Sequence, residues 1–140
     1  MRRTSLRPRP GGGVVLCVIG AGNIGSHLIP LLGRMTSVAG VIIVDRDLYD
    51  RSNLPAQSIL AADLGRPKAQ VMARRLRSIN PSLHIVAIHD ALENIPPAVL
   101  WGDIWLTCLD SRAARPGGRS NLHGPHDGRS HRDPRSSYRR

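Results

Sequence analysis

The residues best suited to chemistry form a glycine-rich loop, which an acidic residue follows some twenty positions later. Gly20, Gly22 and Gly25 make a G-x-G-x-x-G pattern between an apolar run and a segment with helical spacing. The first glycine of such a loop permits a tight turn, the second lets a pyrophosphate approach the backbone, and the third lets helix and strand pack closely. Free N–H groups and the dipole at the helix start favour phosphate. Asp45 is placed to hydrogen-bond a ribose hydroxyl, so the pattern predicts nucleotide binding.

These residues need a framework of buried parallel strands that alternate with helices. Apolar runs rich in β-branched residues are typical of strands buried on both faces, and we predict strands at 14–19, 41–45, 83–88 and 103–110. Helices are predicted from Ile24 to Met35 and from Pro67 to Ile79, with a short helix or turn over 91–100. Strands that alternate with helices form βαβ units with right-handed crossovers. The sequence therefore predicts an α/β fold: a partial Rossmann-like, doubly wound parallel sheet of about four strands.

Basic charge is concentrated at the two ends of the chain. The net charge is +10, yet residues 13–110 hold equal numbers of basic and acidic residues. We predict a disordered basic lead-in over 1–12 and a disordered tail rich in Arg, Gly, Pro, Ser and His over 116–140. A nucleic-acid-binding module, with basic ends on a vestigial nucleotide fold, is one alternative function. It is disfavoured because no basic stripe crosses the folded part.

The two cysteines and the hydropathy pattern indicate where the protein works. Cys17 and Cys108 each lie inside an apolar run, which predicts buried, reduced thiols and a cytoplasmic protein. No apolar stretch is long enough to span a membrane, so we expect no membrane partner.

The loop after the second strand separates two classes of nucleotide-binding protein. Up to Asp45, an NAD(P)-dependent oxidoreductase with a Rossmann domain fits equally well. The stretch from Asp45 to Gln57, DRDLYDRSNLPAQ, resembles the D-x-D-x-V-x-x-S-N-L-x-R-Q segment of the ThiF/MoeB/HesA and ubiquitin-activating enzymes. Three further motifs are similar to that family: D-x-G-x-x-K at 63–68, I-N-P at 79–81 and C-x-D-N-x-x-x-R at 108–115. Together they identify 13–115 as a partial ThiF-type nucleotide-binding domain.

The resemblance implies an ATP-dependent adenylyltransferase that activates the C-terminal carboxylate of a ubiquitin-like or sulfur-carrier protein. Lys68 and Asp110 would be its catalytic residues, with Lys68 reaching the phosphates and Asp110 binding magnesium. The implied ATP-binding residues are Gly20, Gly22, Gly25, Asp45, Asp47, Ser52, Asn53, Lys68 and Asp110. Family resemblance further implies a homodimer or a partner chain that completes the site.

The chain departs from the family pattern at several positions. Asn23 replaces a common glycine, Ala56 stands where many members have a phosphate-contacting arginine, and Ser111 replaces an asparagine. The resemblance ends at Arg115, where Pro-Gly-Gly would break the next helix, and the following residues have the composition of GC-rich DNA translated out of frame. We therefore expect a truncated or frameshifted product with an uncovered sheet face and little or no adenylation activity on its own.

Overall fold

The computed structural model describes residues 12–109, which form one parallel sheet with two helices. The elements are β1 (Val14–Ile19), α1 (Gly25–Leu32), β2 (Val38–Val44), α2 (Lys68–Ile79), β3 (His84–Ile88) and β4 (Ile104–Thr107). The strand order is β3-β2-β1-β4, and every neighbouring pair is parallel. This arrangement confirms the predicted Rossmann-like α/β fold with four strands in the described part of the chain. The predicted tails, 1–12 and 116–140, lie outside the described residues except for Gly12.

The sheet is buried on both faces because side chains of its central strands alternate between two apolar clusters. Leu16 and Val18 of β1 pack on the face that carries α1 and α2. Val15, Cys17 and Ile19 point to the opposite face. The continuous apolar runs of β1 and β2 are therefore the consequence of two-sided burial, as the sequence pattern predicted.

The face opposite the helices is covered by the segment that follows β3. This segment contains two short 3-10 turns, Leu92–Asn94 and Pro97–Val99. Ile95 and Leu100 from it are buried against the apolar side chains of β1 and β2. The expectation of an uncovered face is thus wrong for the centre of the sheet. It holds at the edge, where Trp105 of β4 is 49% exposed.

The observed elements differ from the predicted ones mainly at their ends. α1 contains Pro30 and stops at Leu32, because beyond it the N–H groups of Arg34 and Met35 bond three residues back, to the carbonyls of 31 and 32, in 3-10-type turns. β2 begins three residues earlier than predicted and ends at Val44, which leaves Asp45 just beyond the strand. β4 begins at Ile104 rather than at residue 103, because Asp103 caps the start of β1 with its carboxylate, which accepts the Val15 N–H at 2.7 Å.

The state of the two cysteines and the length of the helices are seen directly in the described residues. Cys17 and Cys108 are buried free thiols, and burial raises the pKa of each. Among residues 12–109, no helix has the length and apolar character needed to cross a membrane.

Candidate functional site

A cavity of about 630 Å³ lies at the carboxyl ends of the parallel strands. Its walls come from the glycine loop after β1, the loop after β2, the first residue of α2 and the segment after β3. Open α/β sheets bind their ligands at this edge, where the strand order changes direction. Here β1 stands between β2 and β4, so the glycine loop lies at that crossover.

The three glycines of the loop are required for three different reasons. Gly20 has a φ of +97°, and a Cβ there would lie 2.9 Å from the Cys108 carbonyl oxygen. A Cβ on Gly25 would collide with the Gly20 carbonyl oxygen, so this glycine allows α1 to start against β1. Gly22 instead faces open space, and the nearest atom to a Cβ there is Gln57 Nε2 at 3.9 Å. Gly20 and Gly25 therefore shape the loop, and Gly22 leaves room for a ligand.

The start of α1 presents unused hydrogen-bond donors to this space. Within residues 12–109, no acceptor is found for the N–H groups of residues 22 to 25, whereas the N–H of Ser26 bonds to the Gly22 carbonyl. The first N–H groups of a helix have no partner inside the helix, and with the helix dipole they favour an anion. This geometry suits a phosphate group next to Gly22.

Asp45 ties the end of β2 to the glycine loop. One carboxylate oxygen accepts the Ala21 N–H at 2.6 Å, and the other accepts the Asp47 N–H at 2.8 Å. Each carboxylate oxygen has a second lone pair, so the group can still accept a ribose hydroxyl. The predicted ribose contact stays a prediction. Sequence reasoning missed that Asp45 also holds the loop in place.

Lys68 is the first residue of α2, and its side chain is only 9% exposed. Its ammonium lies 3.7 Å from Asp47 Oδ2, and the Asp47 side chain is 60% exposed. Among the residues that the structure describes, the contacts given for Lys68 Nζ are the Asp47 carboxylate and the Tyr49 ring, and both lie beyond hydrogen-bond distance. A solvent-exposed carboxylate at this distance compensates the ammonium charge only weakly. Within the described residues, Lys68 therefore presents a weakly compensated cation at the cavity wall.

Asn23 and Gln57, which also line the cavity, are hydrogen-bonded to each other. Gln57 Nε2 donates to Asn23 Oδ1 at 3.1 Å, and Gln57 Oε1 is buried without a hydrogen-bond partner in the described part of the chain. Buried polar atoms are nearly always hydrogen-bonded, and this oxygen is available to accept a hydrogen bond. The sequence signal for Gln57 was its place in the motif, although no role followed from it.

A family comparison decides between the classes of nucleotide-binding protein. The model of the ThiF family matches residues 14–117. The chain belongs to the ThiF family.

Several known proteins share this ThiF domain. Human ubiquitin-like modifier-activating enzyme 7 is 35% identical over 103 residues, which are 69% of this chain and 10% of that protein. The sulfur carrier protein ThiS adenylyltransferase of Escherichia coli is 33% identical over 101 residues, covering 70% of this chain and 40% of that protein. The chain thus spans less than half the length of either relative.

A solved structure shares the fold as well. The tRNA N6-threonylcarbamoyladenosine dehydratase of Escherichia coli, solved in complex with ATP, superimposes with a TM-score of 0.64 at 28% identity. The alignment covers 70% of this chain and 42% of that one.

The remaining motif residues of the ThiF segment lie away from the cavity wall. Ser52 and Asn53 belong to a 3-10 turn, Arg51–Asn53, and hydrogen-bond locally. Asp50 accepts the Ser52 hydroxyl and N–H, which holds the pKa of Asp50 below its usual value, and Asn53 Oδ1 accepts the Asp50 N–H at 3.0 Å. The nucleotide contacts predicted for Ser52 and Asn53 stay predictions.

Asp110, the predicted magnesium ligand, lies outside the described residues. Cys108 and Leu109, which precede it, line the cavity. Within 12–109, no three side chains of the His, Cys, Asp or Glu type cluster as a metal site.

Proposed function

We propose that this chain carries the nucleotide-binding part of an ATP-dependent adenylyltransferase of the ThiF type. The observation that carries the proposal is the Lys68 side chain, which is only 9% exposed and places its ammonium on the wall of a cavity that also contains the open glycine loop. A polyphosphate provides the anionic oxygens that the ammonium and the loop N–H groups lack. Asp45, at the neighbouring strand end, would accept the ribose hydroxyl.

The proposed reaction joins a carboxylate to the nucleotide. A carboxylate oxygen attacks the α-phosphorus of ATP, a new P–O bond forms, and the bond to the β-phosphate breaks to release pyrophosphate. Negative charge shifts onto phosphate oxygens during this step, so a fixed cation and fixed N–H donors lower its barrier. We assign the cation to Lys68 and the donors to the loop of Gly20, Gly22 and Gly25.

Magnesium belongs to the same proposal. Mg²⁺ commonly binds one or two carboxylates and completes its shell with phosphate oxygens and water, and it would neutralise phosphate charge here. We propose that Asp110 would hold this ion together with the phosphates of the nucleotide.

The carboxylate is proposed to be the C-terminus of a ubiquitin-like or sulfur-carrier protein. Support comes from the relatives, which include a ubiquitin-like modifier-activating enzyme and a sulfur carrier adenylyltransferase. Because Ala56 provides no cation, we propose that a second chain, in a homodimer or a complex with another protein, completes the phosphate site. Buried free thiols suit a cytoplasmic location.

Calorimetric titration of the full chain with MgATP, NAD and NADP tests the proposal. We expect MgATP to bind more tightly than either dinucleotide, because Lys68 fits a polyphosphate chain and a nicotinamide site does not need it. Binding of NAD without binding of ATP would instead support the oxidoreductase alternative. Salt-sensitive retention on DNA-cellulose without ATP binding would support the nucleic-acid alternative.

A further inference from the structure

Tyr49 is a fully buried polar residue to which the proposed function gives no role. Its side chain has no exposed surface, and its hydroxyl donates a hydrogen bond to the Ala21 carbonyl oxygen at 2.8 Å. Burial, followed by the nearby Asp45 carboxylate, raises the pKa of Tyr49 well above its usual value, so the phenol keeps its proton. The loop after β2 is thereby fixed to the backbone of the glycine loop.

The same tyrosine lies beneath the lysine. The Lys68 ammonium is 5.5 Å from the centroid of the Tyr49 ring. An aromatic face attracts a cation at this distance and, unlike a carboxylate, does not neutralise it. The ThiF pattern has a valine where this chain has Tyr49, and a valine provides neither the ring nor the hydroxyl.

We propose that Tyr49 is a positioning residue that sets Lys68 and the glycine loop in register for the phosphates of the nucleotide. The ring holds the ammonium at the cavity wall, and the hydroxyl holds Ala21, next to the open position at Gly22. The two anion-binding parts of the site thus share one rigid support. This inference rests on the proposed function, because it assumes that Lys68 binds phosphate.

The placement itself can be measured without a nucleotide. Lys68 is the only lysine in the chain, so labelling with lysine that carries ¹³C at Cε gives one labelled side-chain signal in the full-length protein. We expect a nuclear Overhauser contact between the Lys68 ε-protons and the Tyr49 ring, and an upfield displacement of those protons relative to the urea-unfolded chain. A folded protein with neither signal would overturn the proposal.

The effect of Tyr49 on nucleotide binding is tested by measuring the MgATP affinity of variants. These are Tyr49→Leu, Tyr49→Phe and Lys68→Met, together with the double variant that combines Tyr49→Leu with Lys68→Met. Tyr49→Leu removes ring and hydroxyl and should weaken binding by roughly three- to thirtyfold, the range of a cation–π contact. Tyr49→Phe keeps the ring and should recover most of that loss. In the Lys68→Met background, Tyr49→Leu should have a clearly smaller effect.

The outcomes separate the two proposals. An equal loss from Tyr49→Leu with and without the Lys68 charge would show a general structural role and overturn the positioning role, while the proposed function stands. Unmodified protein that fails to bind MgATP overturns both. If Tyr49→Leu does not fold, the Overhauser contact and the upfield displacement of the Lys68 ε-protons decide the question in the folded, unsubstituted protein.

Discussion

Two adjacent parts of the loop after β2 use polar side chains in opposite ways. In the first part, 45–49, the side chains reach outward: Asp45 and Tyr49 bind the backbone of the glycine loop, and Asp47 faces Lys68. In the second part, 50–53, the side chains bind each other and close a short turn. Both parts belong to one sequence motif, yet only the first lines the cavity.

The difference shows that one part of a motif can provide groups for ligand binding while the next part fixes the path of the backbone. The first part leaves hydrogen-bonding capacity unused at the cavity, on the Asp45 oxygens and on Lys68. The second part uses its capacity locally, which fixes the path of the chain towards Gln57. A ligand can gain new hydrogen bonds only from groups that are not already satisfied, so substitutions in the two parts should differ in kind.

The largest effect on binding is expected from Lys68→Met. Methionine keeps the packed aliphatic stem and removes the charge, so stability should change little. MgATP affinity should fall by roughly ten- to a hundredfold, because a hydrogen bond to a charged group contributes about 1.5–3 kcal/mol. Arg77→Met, at the exposed far end of α2, is the matched control and should leave the affinity unchanged. If the two variants change the MgATP affinity equally, Lys68 does not contact the nucleotide.

Asp45→Asn should weaken both binding and stability. The carboxylate accepts two backbone N–H groups, and an amide retains one accepting oxygen, so one donor would face an NH₂ group. The loss in free energy of unfolding should be about 1–3 kcal/mol. Asp50→Asn is the control from the second part: the one oxygen of Asp50 that accepts from Ser52 can be an amide oxygen, and Asp50 is exposed. If Asp45→Asn and Asp50→Asn lower the melting temperature equally, the two parts of the loop do not differ in the way proposed.

The smallest effect on affinity is expected from Asn53→Ala. The variant removes the acceptor for the Asp50 N–H and should destabilise the turn, as a lost cap does, by about 0.5–2 kcal/mol. MgATP affinity should fall less than in Lys68→Met. If calorimetry shows an equal fall, Asn53 contacts the nucleotide directly, and the division between the two parts of the loop disappears.

The sequence predicted the framework well because two-sided burial leaves a clear pattern. The apolar runs of β1 and β2 are continuous because both strands are buried on both faces of the sheet. The glycine motif predicted a loop, and the structure leaves no room there for a side chain at Gly20 or Gly25. Strand ends were less accurate, since Asp103 and Asp45 are polar residues whose hydrogen-bond partners are distant in sequence.

Which residues line the cavity was easier to predict from the sequence than which contacts they make. Spacing and family resemblance singled out Asp45 and Lys68. They gave no reason to connect Tyr49 to Ala21, because that hydrogen bond spans 28 residues and exists only once β2 lies beside β1. The burial of Lys68 is likewise a result of packing, and a motif in the first turn of a helix equally suits a solvated lysine.

We propose that Lys68 contacts the phosphates of ATP, and the single labelled lysine in the chain allows this contact to be tested directly. Full-length protein labelled with ¹³C-lysine should show a saturable displacement of the Lys68 side-chain resonance on titration with MgATP, and a much weaker one with NAD. The saturation point should match the affinity from calorimetry. A Lys68 signal that stays in place while calorimetry reports bound ATP would contradict the account.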